Sequence, residues 1–222
     1  MTAEVFDITI IGGGPAGLFA SFYAGLRDAR TKIIESTGEL GGALIHEYPD
    51  EVLRDVAGFV LITARKLAEN FIEQATMYEH VILKNETVSA CEFDKAAKVW
   101  TVTTDKGAHK SKAVVLALGS LEKVQKKSKG LIESLKKQGV KINEQGIAVD
   151  ATMNASVPGL YACGDFISKA KELNFISMAT AEAAIAVNNA KKYVNPEVDT
   201  FPGYSTDLKK DKPNYHTNPL AD

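Results

Sequence analysis

The sequence contains few of the residues on which dithiol and metal chemistry depend. Its two cysteines, Cys91 and Cys163, lie far apart and form no C-x-x-C pair. Its four histidines are scattered and lack the spacing of metal ligands, so we expect no metal site. So few cysteines are typical of a reducing compartment. The chain also runs straight into a predicted strand, which leaves no room for a cleavable signal, and we expect a cytoplasmic protein.

Charge and apolar character exclude further classes. The 26 basic and 28 acidic residues give a net charge of −2, which provides no electrostatic basis for binding nucleic acid or an anionic membrane. No apolar run approaches the roughly 18 residues that a membrane-spanning helix requires. We find no internal repeat. The 222 residues, 45% of them apolar, suffice for one large globular domain or two small ones.

A glycine-rich turn between a strand and a helix is the most informative stretch. An apolar strand ends at Ile11, and Gly12, Gly14 and Gly17 follow in G-x-G-x-x-G spacing. Such turns place two phosphates at the start of a helix, although they also occur for packing reasons alone. A second strand ends in Glu35, 18 residues after Gly17, where an acid would hold a ribose. The pattern predicts a dinucleotide site.

The remaining periodicity predicts a single α/β domain over residues 1–208, followed by a polar tail over 209–222. We expect a central parallel sheet, a three-stranded antiparallel meander on one side and helices on the other. The predicted helices cover residues 15–28, 63–76 and 175–193, and a lysine-rich surface helix or mobile connection covers 121–138. The predicted strands are 4–11, 31–35, 113–119, 147–150 and 160–165, with 81–93, 97–104 and 108–111 as the meander.

Several longer stretches carry a family resemblance. Besides the glycine turn with Glu35 and the pair Gly41-Gly42, they are Tyr48-Pro49-Asp50-Glu51, Asp55-Val56-Ala57-Gly58-Phe59, the segment 157–165, Ala186-Val187-Asn188-Asn189-Ala190 and Gly203-Tyr204-Ser205-Thr206. Together they resemble the flavin-binding domain of thioredoxin-reductase-like proteins, and more narrowly the thioredoxin-reductase-like ferredoxin–NADP(+) reductases. The resemblance covers residues 4–119 and about 140–208.

The resemblance implies a glutathione-reductase-like, Rossmann-type domain that binds FAD. It places the pyrophosphate on the glycine turn, the adenosine ribose on Glu35, the adenine against the backbone of Val88, and the ribityl or pyrophosphate side on Asp165. Tyr48 and Tyr204 would stack on the two faces of the isoalloxazine. The implied cofactor-binding set is Gly12, Gly14, Pro15, Ala16, Gly17, Glu35, Gly41, Gly42, Ala43, Tyr48, Asp55, Val88, Gly119, Gly164, Asp165, Tyr204, Ser205 and Thr206.

The sequence departs from that family in two respects. Its members carry an inserted NAD(P)H-binding domain, but fewer than thirty residues separate Gly119 from Ile147 here, and a domain needs about 50. We therefore interpret residues 120–146 as a short linker, and no second G-x-G-x-x-G follows. In addition, Ala43 replaces the glutamine that is common after the Gly-Gly pair.

Three functions remain open at this point. The chain could be a flavin-dependent oxidoreductase or electron carrier reduced by a separate ferredoxin-like, flavodoxin-like or reductase partner. It could be a non-catalytic flavin-binding sensor or assembly module. It could also be a small flavoenzyme whose diffusible substrate reaches the exposed ring. The resemblance further implies a homodimer. The lysine-rich segment would be either a solvated helix face or a docking patch for an acidic partner.

Overall fold

A computed structural model of the chain describes residues 4–168, 174–200 and 203–204. Its helices are α1 (Pro15–Leu26), α2 (Ala43–His46), α3 (Ala64–Ala75), α4 (Leu121–Lys127), α5 (Lys129–Lys137) and α6 (Ile176–Val194). Its strands are β1 (Val5–Ile11), β2 (Thr31–Ile34), β3 (Val52–Leu53), β4 (Ile62–Thr63), β5 (Val81–Leu83), β6 (Val88–Asp94), β7 (Val99–Thr104), β8 (Ala108–Leu116), β9 (Ile142–Asn143), β10 (Gly146–Ile147) and β11 (Leu160–Ala162). The predicted tail lies outside the described residues.

A seven-stranded mixed sheet organises the fold. Strands β5, β2, β1, β8 and β11 pair in parallel, in that spatial order. Strand β8 also pairs antiparallel with β7, and β7 with β6, which forms the three-stranded meander. Two short antiparallel pairs, β3 with β4 and β9 with β10, lie outside this sheet. The predicted α/β class with a parallel sheet and a meander is confirmed.

Strand β8 belongs to both halves of the sheet, which corrects one prediction. The sequence pattern predicts two strands over 108–111 and 113–119, but one continuous strand runs from Ala108 to Leu116. Its first half alternates in exposure, whereas the last four residues are all buried. No turn residue separates the halves, so the backbone passes without a break from the meander into the parallel sheet.

The predicted strand 81–93 is likewise wrong, because it is two strands in different parts of the sheet. Strand β5 pairs in parallel with β2, whereas β6 pairs antiparallel with β7. The chain bends between them at Asn85, whose φ of 54° lies in the left-handed region. The Asn85 N–H donates to the Thr37 carbonyl at 2.9 Å, and the Glu86 N–H to the Glu35 carbonyl at 3.0 Å. The bend is thereby held against the end of β2.

The core lies on both faces of the parallel strands, which are largely apolar. Strand β1 is buried from Ile8 to Ile11. Helix α6 packs on α1 through alanines at helical spacing, and Ala183, Ala186 and Ala190 are fully buried. Small residues allow such helices to approach closely. No helix in the described ranges combines the length and apolar character needed to cross a membrane.

The lysine-rich segment forms two helices, and α5 is anchored to the edge of the meander. The Ser134 hydroxyl accepts from the Cys91 N–H at 3.0 Å and donates to the Cys91 carbonyl at 2.8 Å. One helical turn later, the Gln138 side chain accepts from the Phe93 N–H at 3.2 Å. These side chains satisfy backbone groups of the edge strand β6, which would otherwise be open to pairing with another chain.

Candidate functional site

A cavity of about 490 Å³ lies at the carboxyl ends of β1, β2, β8 and β11. The residue that follows each of these strands lines it, namely Gly12, Glu35, Ala117 and Cys163. Ligands of open α/β sheets bind in this position. The volume falls within the roughly 300–1,000 Å³ of ordinary small-molecule sites.

The turn between β1 and α1 requires glycine at the first and last positions of the G-x-G-x-x-G pattern. Gly12 has a φ of 107°, and a Cβ there would lie 2.2 Å from the Ala117 carbonyl oxygen. A Cβ on Gly17 would lie 1.8 Å from the Gly12 carbonyl oxygen. Both glycines therefore let the helix, the turn and the neighbouring strand pack together, and Gly17 does not itself line the cavity.

Gly14 faces the cavity and starts helix α1. The nearest atom to a Cβ on Gly14 would be the Gly42 Cα at 3.7 Å, so the space beside it is open. No side chain caps the helix, Pro15 occupies its first position, and its first turn carries no acid. The free N–H groups and the positive end of the helix dipole therefore remain available to an anion.

The second glycine loop closes against the first. The Gly41 N–H donates to the Gly13 carbonyl at 2.8 Å. A Cβ on Gly42 would lie 2.8 Å from the Gly14 Cα, so the two backbones are in direct contact. Gly42 and Ala43 line the cavity beside Gly14. The two loops together form a cradle of bare backbone.

Glu35 presents a buried carboxylate to the same cavity. Its Oε2 accepts from the Gly13 N–H at 2.7 Å, and its Oε1 accepts from the Thr37 N–H at 2.8 Å and the Thr37 hydroxyl at 2.9 Å. The acid therefore joins the glycine turn to the loop after β2. A carboxylate held in this way is suited to accept hydrogen bonds from sugar hydroxyls.

The turn after β11 and Tyr48 form further parts of the cavity wall. Gly164 and Asp165 line it, and a buried carboxylate on α6, that of Glu182, accepts from the Gly164 N–H at 2.9 Å. Burial raises the pKa of the half-buried Tyr48 hydroxyl, and the negative charges of Glu47, Asp165 and Asp55 raise it further. Tyr48 therefore stays protonated at neutral pH.

Helix α4 supplies a further wall. Lys123, Lys127 and Ser128 line the cavity. Lys123 forms an ion pair with Glu47, the residue that ends α2, so the helix is tied to the loop that carries Tyr48. Part of the lysine-rich segment thus lines the cavity and is not a free connection, although Lys123 and Lys127 are also exposed to solvent.

Comparison with known proteins places this cavity in a known group. The sequence model of the FAD dependent oxidoreductase family matches residues 7–164, which is more than half of the chain and includes the glycine turn and Glu35. This chain belongs to that family.

Individual relatives show which members of this family the chain resembles. The ferredoxin–NADP reductase of Streptococcus suis is 26% identical over 323 aligned residues, covering 92% of this chain and 99% of that protein. The corresponding reductase of Streptococcus agalactiae is 46% identical over 123 residues, covering 54% of this chain and 36% of that protein. A solved thioredoxin reductase from Streptococcus pyogenes superposes with a TM-score of 0.73 at 16% identity, covering 88% of this chain and all of that one. That similarity supports the Rossmann-type fold.

The cavity of this FAD-dependent oxidoreductase fits its cofactor. The cradle of Gly14 and Gly42 leaves space that side chains would fill, and the uncapped start of α1 matches a pyrophosphate. Glu35 matches an adenosine ribose, and the buried side chain of Val88 provides an apolar wall beyond it. The family and the chain's own geometry therefore agree on FAD.

Most of the predicted set lines this one cavity. Its members there are Gly12, Gly14, Pro15, Ala16, Glu35, Gly42, Ala43, Tyr48, Val88, Gly119, Gly164 and Asp165. Gly17 and Gly41 lie behind it as packing positions, and the exposed Asp55 reaches Tyr48 only electrostatically. Tyr204 is 70% exposed and does not line the cavity. Ser205 and Thr206 lie outside the described residues. The binding roles themselves stay predictions.

Sequence reasoning missed the cavity residues that have no local motif. They include Glu47, Glu86, Lys123, Lys127, Ser128 and Leu131. Their positions depend on how α4 and the bend after β5 pack, which no short pattern encodes. In the described ranges, no cluster of three or more histidine, cysteine or acidic side chains could hold a metal ion.

Proposed function

We propose that this chain is a flavin-dependent electron-transfer oxidoreductase that is reduced by a separate donor, with no nicotinamide-nucleotide domain inserted between β8 and β11. The donor would be a ferredoxin-like or flavodoxin-like protein, another reductase chain or a small molecule other than a nicotinamide nucleotide. The observation that carries the proposal is the path of the chain between β8 and β11. Two short helices and the β9–β10 pair occupy residues 121–147.

The comparisons support this interpretation. The 323-residue alignment with the Streptococcus suis reductase is longer than the whole chain of 222 residues. That relative therefore has residues without a counterpart here. Moreover, the only G-x-G-x-x-G in the sequence is the one at Gly12, so no second dinucleotide fingerprint is present. Both observations support the proposal that no nicotinamide-nucleotide domain is inserted between β8 and β11.

The two cysteines do not provide an alternative route for electrons into the cofactor. Both thiols are fully buried, and burial raises the pKa of each, with Glu92 adding to the effect at Cys91 and Glu182 at Cys163. A thiol that is protonated and inaccessible is a poor nucleophile. A disulfide relay through Cys91 or Cys163 is therefore disfavoured, and the electrons would pass through the cofactor alone.

The protein's own groups would bind and orient the cofactor and shield it from water. When bound, FAD supplies a ring system that accepts and gives up electrons. The N–H groups at the start of α1 would hold the phosphates, and Glu35 would fix the adenosine half. Tyr48 would cover one ring face and exclude water from it. Its raised pKa keeps the hydroxyl uncharged, so that no anion opposes a negatively charged reduced ring.

The test is a donor screen on the FAD-loaded protein. The absorbance of oxidised flavin is followed after mixing with NADPH, NADH, or a reduced ferredoxin or flavodoxin. We expect fast bleaching with a protein donor and slow bleaching with either nucleotide. Fast reduction by micromolar NADPH alone would contradict the proposal. Failure of every donor would instead favour a non-catalytic flavin-binding module.

One observation favours a second function. Tyr204, which the resemblance places over the outer ring face, is 70% exposed and outside the cavity lining. With that face uncovered, a diffusible organic substrate could reach the ring directly. Under this alternative, a small-molecule acceptor such as a quinone would reoxidise the reduced protein at a saturable rate, and a Tyr204→Ala variant would retain that rate.

We also propose a homodimer. Three consecutive apolar residues before β4 are exposed, Phe59 at 43%, Val60 at 92% and Leu61 at 58%. A contiguous apolar surface of this kind is typical of an interface. Light scattering coupled to gel filtration would give twice the mass of the chain, and a Val60→Asp variant would give the monomer.

A further inference from the structure

Glu86 ends a chain of polar side chains that runs from the sheet to the cavity wall. Its Oε1 accepts from His109 Nε2 at 2.5 Å and from the Thr104 hydroxyl at 2.6 Å. His109 Nδ1 lies 3.0 Å from Lys32 Nζ. These residues belong to β2, β7, β8 and the bend after β5. Neither the glycine turn nor any family motif includes them.

The hydrogen bonds fix where the protons are. The ammonium group of Lys32 has only protons to offer, so His109 accepts at Nδ1 and carries its own proton on Nε2. That Nε2–H then donates to Glu86. Burial alone would raise the pKa of Glu86, but the hydrogen bonds from Thr104 and His109 outweigh it and hold the pKa below its usual value. Glu86 is therefore a carboxylate.

One oxygen of this carboxylate is left without a donor. Both hydrogen bonds go to Oε1, and no donor reaches Oε2 in the part of the chain that the structure describes. The side chain is only 6% exposed, yet it lines the cavity. Oε2 is not enclosed by protein, so it is open to the cavity, where it can accept a hydrogen bond from a donor on the ligand.

The position of Glu86 indicates which part of the ligand that donor belongs to. Its backbone N–H donates to the carbonyl of Glu35 at 3.0 Å, so the two acids are neighbours at one end of the cavity. Val88, two residues further on, also lines the cavity. If Glu35 holds the adenosine ribose, the group that lies next to it is the base.

We propose that Glu86 selects the base of the dinucleotide by accepting a hydrogen bond from the 6-amino group of adenine. This inference rests on the family's FAD and on no particular electron donor. Hypoxanthine and guanine carry a carbonyl at that position, which would bring two acceptors face to face in a buried site. The wrong base would then be rejected because a carboxylate oxygen is left unpaired.

The test compares three dinucleotides on the whole chain after removal of any bound flavin. They are FAD, its analogue with hypoxanthine in place of adenine, and its analogue with a dimethylated 6-amino group. The dimethylated base has no proton to donate. Binding is followed by the change in flavin fluorescence. We expect the native chain to bind FAD at least about tenfold more tightly than either analogue.

A matched pair of variants assigns this preference to Glu86. In Glu86→Gln the amide carries donors as well as an acceptor, and we expect the preference for FAD over the hypoxanthine analogue to fall to within about threefold. Glu92→Gln, a change at an exposed acid on strand β6, should keep the native preference. The melting temperature of each variant without ligand shows whether it is folded.

Two results would overturn the inference. The first is equal affinity of the native chain for all three dinucleotides, which requires no variant and leaves the proposed electron transfer unaffected. The second is a folded Glu86→Gln variant with the native preference. Conversely, a donor screen that fails would overturn the electron-transfer proposal without bearing on the choice of base.

Discussion

The carboxylate of Glu182 accepts a 2.9 Å hydrogen bond from the backbone N–H of Gly164, which lines the cofactor cavity. Gly164 has a φ of 72°, and a Cβ there would lie 3.1 Å from that of Ala16 on helix α1. Helix α6 therefore fixes the turn after β11 against the start of α1. A buried acid thus sets the shape of the cavity from outside it.

Replacing Glu182 tests this role. In Glu182→Ala the Gly164 N–H loses its acceptor, and we expect a loss of about 1–3 kcal/mol in the free energy of unfolding together with weaker FAD binding. Glu182→Gln keeps a carbonyl acceptor and should retain stability at neutral pH. Denaturant unfolding of the two variants checks this. An alanine variant as stable as the glutamine variant would contradict the role.

The same acid should make stability depend on pH. Burial raises the pKa of Glu182 above its ordinary value of 4.5, the Gly164 hydrogen bond opposes this, and Asp165 adds to it. The folded state then binds this proton more tightly than the unfolded state, so stability falls as pH rises from about 4.5 through the raised pKa. In Glu182→Gln that decline should be smaller. Melting temperatures across pH measure the difference.

Two substitutions in the glycine turn should distinguish a loss of folding stability from a loss of FAD binding. A Cβ on Gly17 would overlap the Gly12 carbonyl at 1.8 Å, so Gly17→Ala should cost about 3 kcal/mol or more. A Cβ on Gly14 would be 3.7 Å from its nearest neighbour, so Gly14→Ala should cost less than about 1 kcal/mol. It should nevertheless weaken FAD binding about tenfold, because it fills the cradle. A Gly14 variant with native affinity would place the phosphates elsewhere.

Glu35 should be the acid on which the adenosine half depends. Glu35→Gln replaces one acceptor oxygen with an amide group that donates. Because Gly13 and Thr37 both donate to the carboxylate, the new amide would face a donor. We expect FAD affinity to fall at least about tenfold. The control is Glu69→Gln on the exposed face of α3. Riboflavin, which has no adenosine, should bind both variants equally, and a selective loss of riboflavin binding would argue against this placement.

The buried thiols should be unreactive in the native protein. Both Cys91 and Cys163 have no exposed surface, and burial raises the pKa of each. A disulfide exchange reagent at pH 8 should therefore modify neither thiol within minutes and both in denaturant. Reaction of a thiol in the native protein at the same rate as in denaturant would reopen a role for cysteine in electron transfer.

Local sequence patterns were sufficient to predict the features whose backbone geometry depends on adjacent residues. The spacing of Gly12, Gly14 and Gly17 predicts the turn, because Gly12 and Gly17 meet steric limits set by their neighbours and Gly14 leaves the space beside it open. Glu35 follows from its place at the end of β2. Helix bounds such as 175–193 for α6, which runs from Ile176 to Val194, follow from the regular spacing of buried alanines.

Sequence patterns did not predict the strand boundaries that depend on tertiary contacts. Continuity of β8 depends on the partners of its two halves, which the alternation in residues 108–111 does not reveal. The break after Leu83 depends on Asn85 reaching Thr37 and on Glu86 reaching Glu35. That bend also brings Glu86 to the cavity, so the missed strand boundary and the missed site residue have one cause.

The central claim is tested most directly by titrating the purified chain, freed of flavin, with FAD. We expect one FAD per chain, a yellow protein and a change in flavin fluorescence that saturates. Gly14→Ala should weaken this binding without lowering the melting temperature appreciably. A folded native chain that binds no FAD would contradict the account.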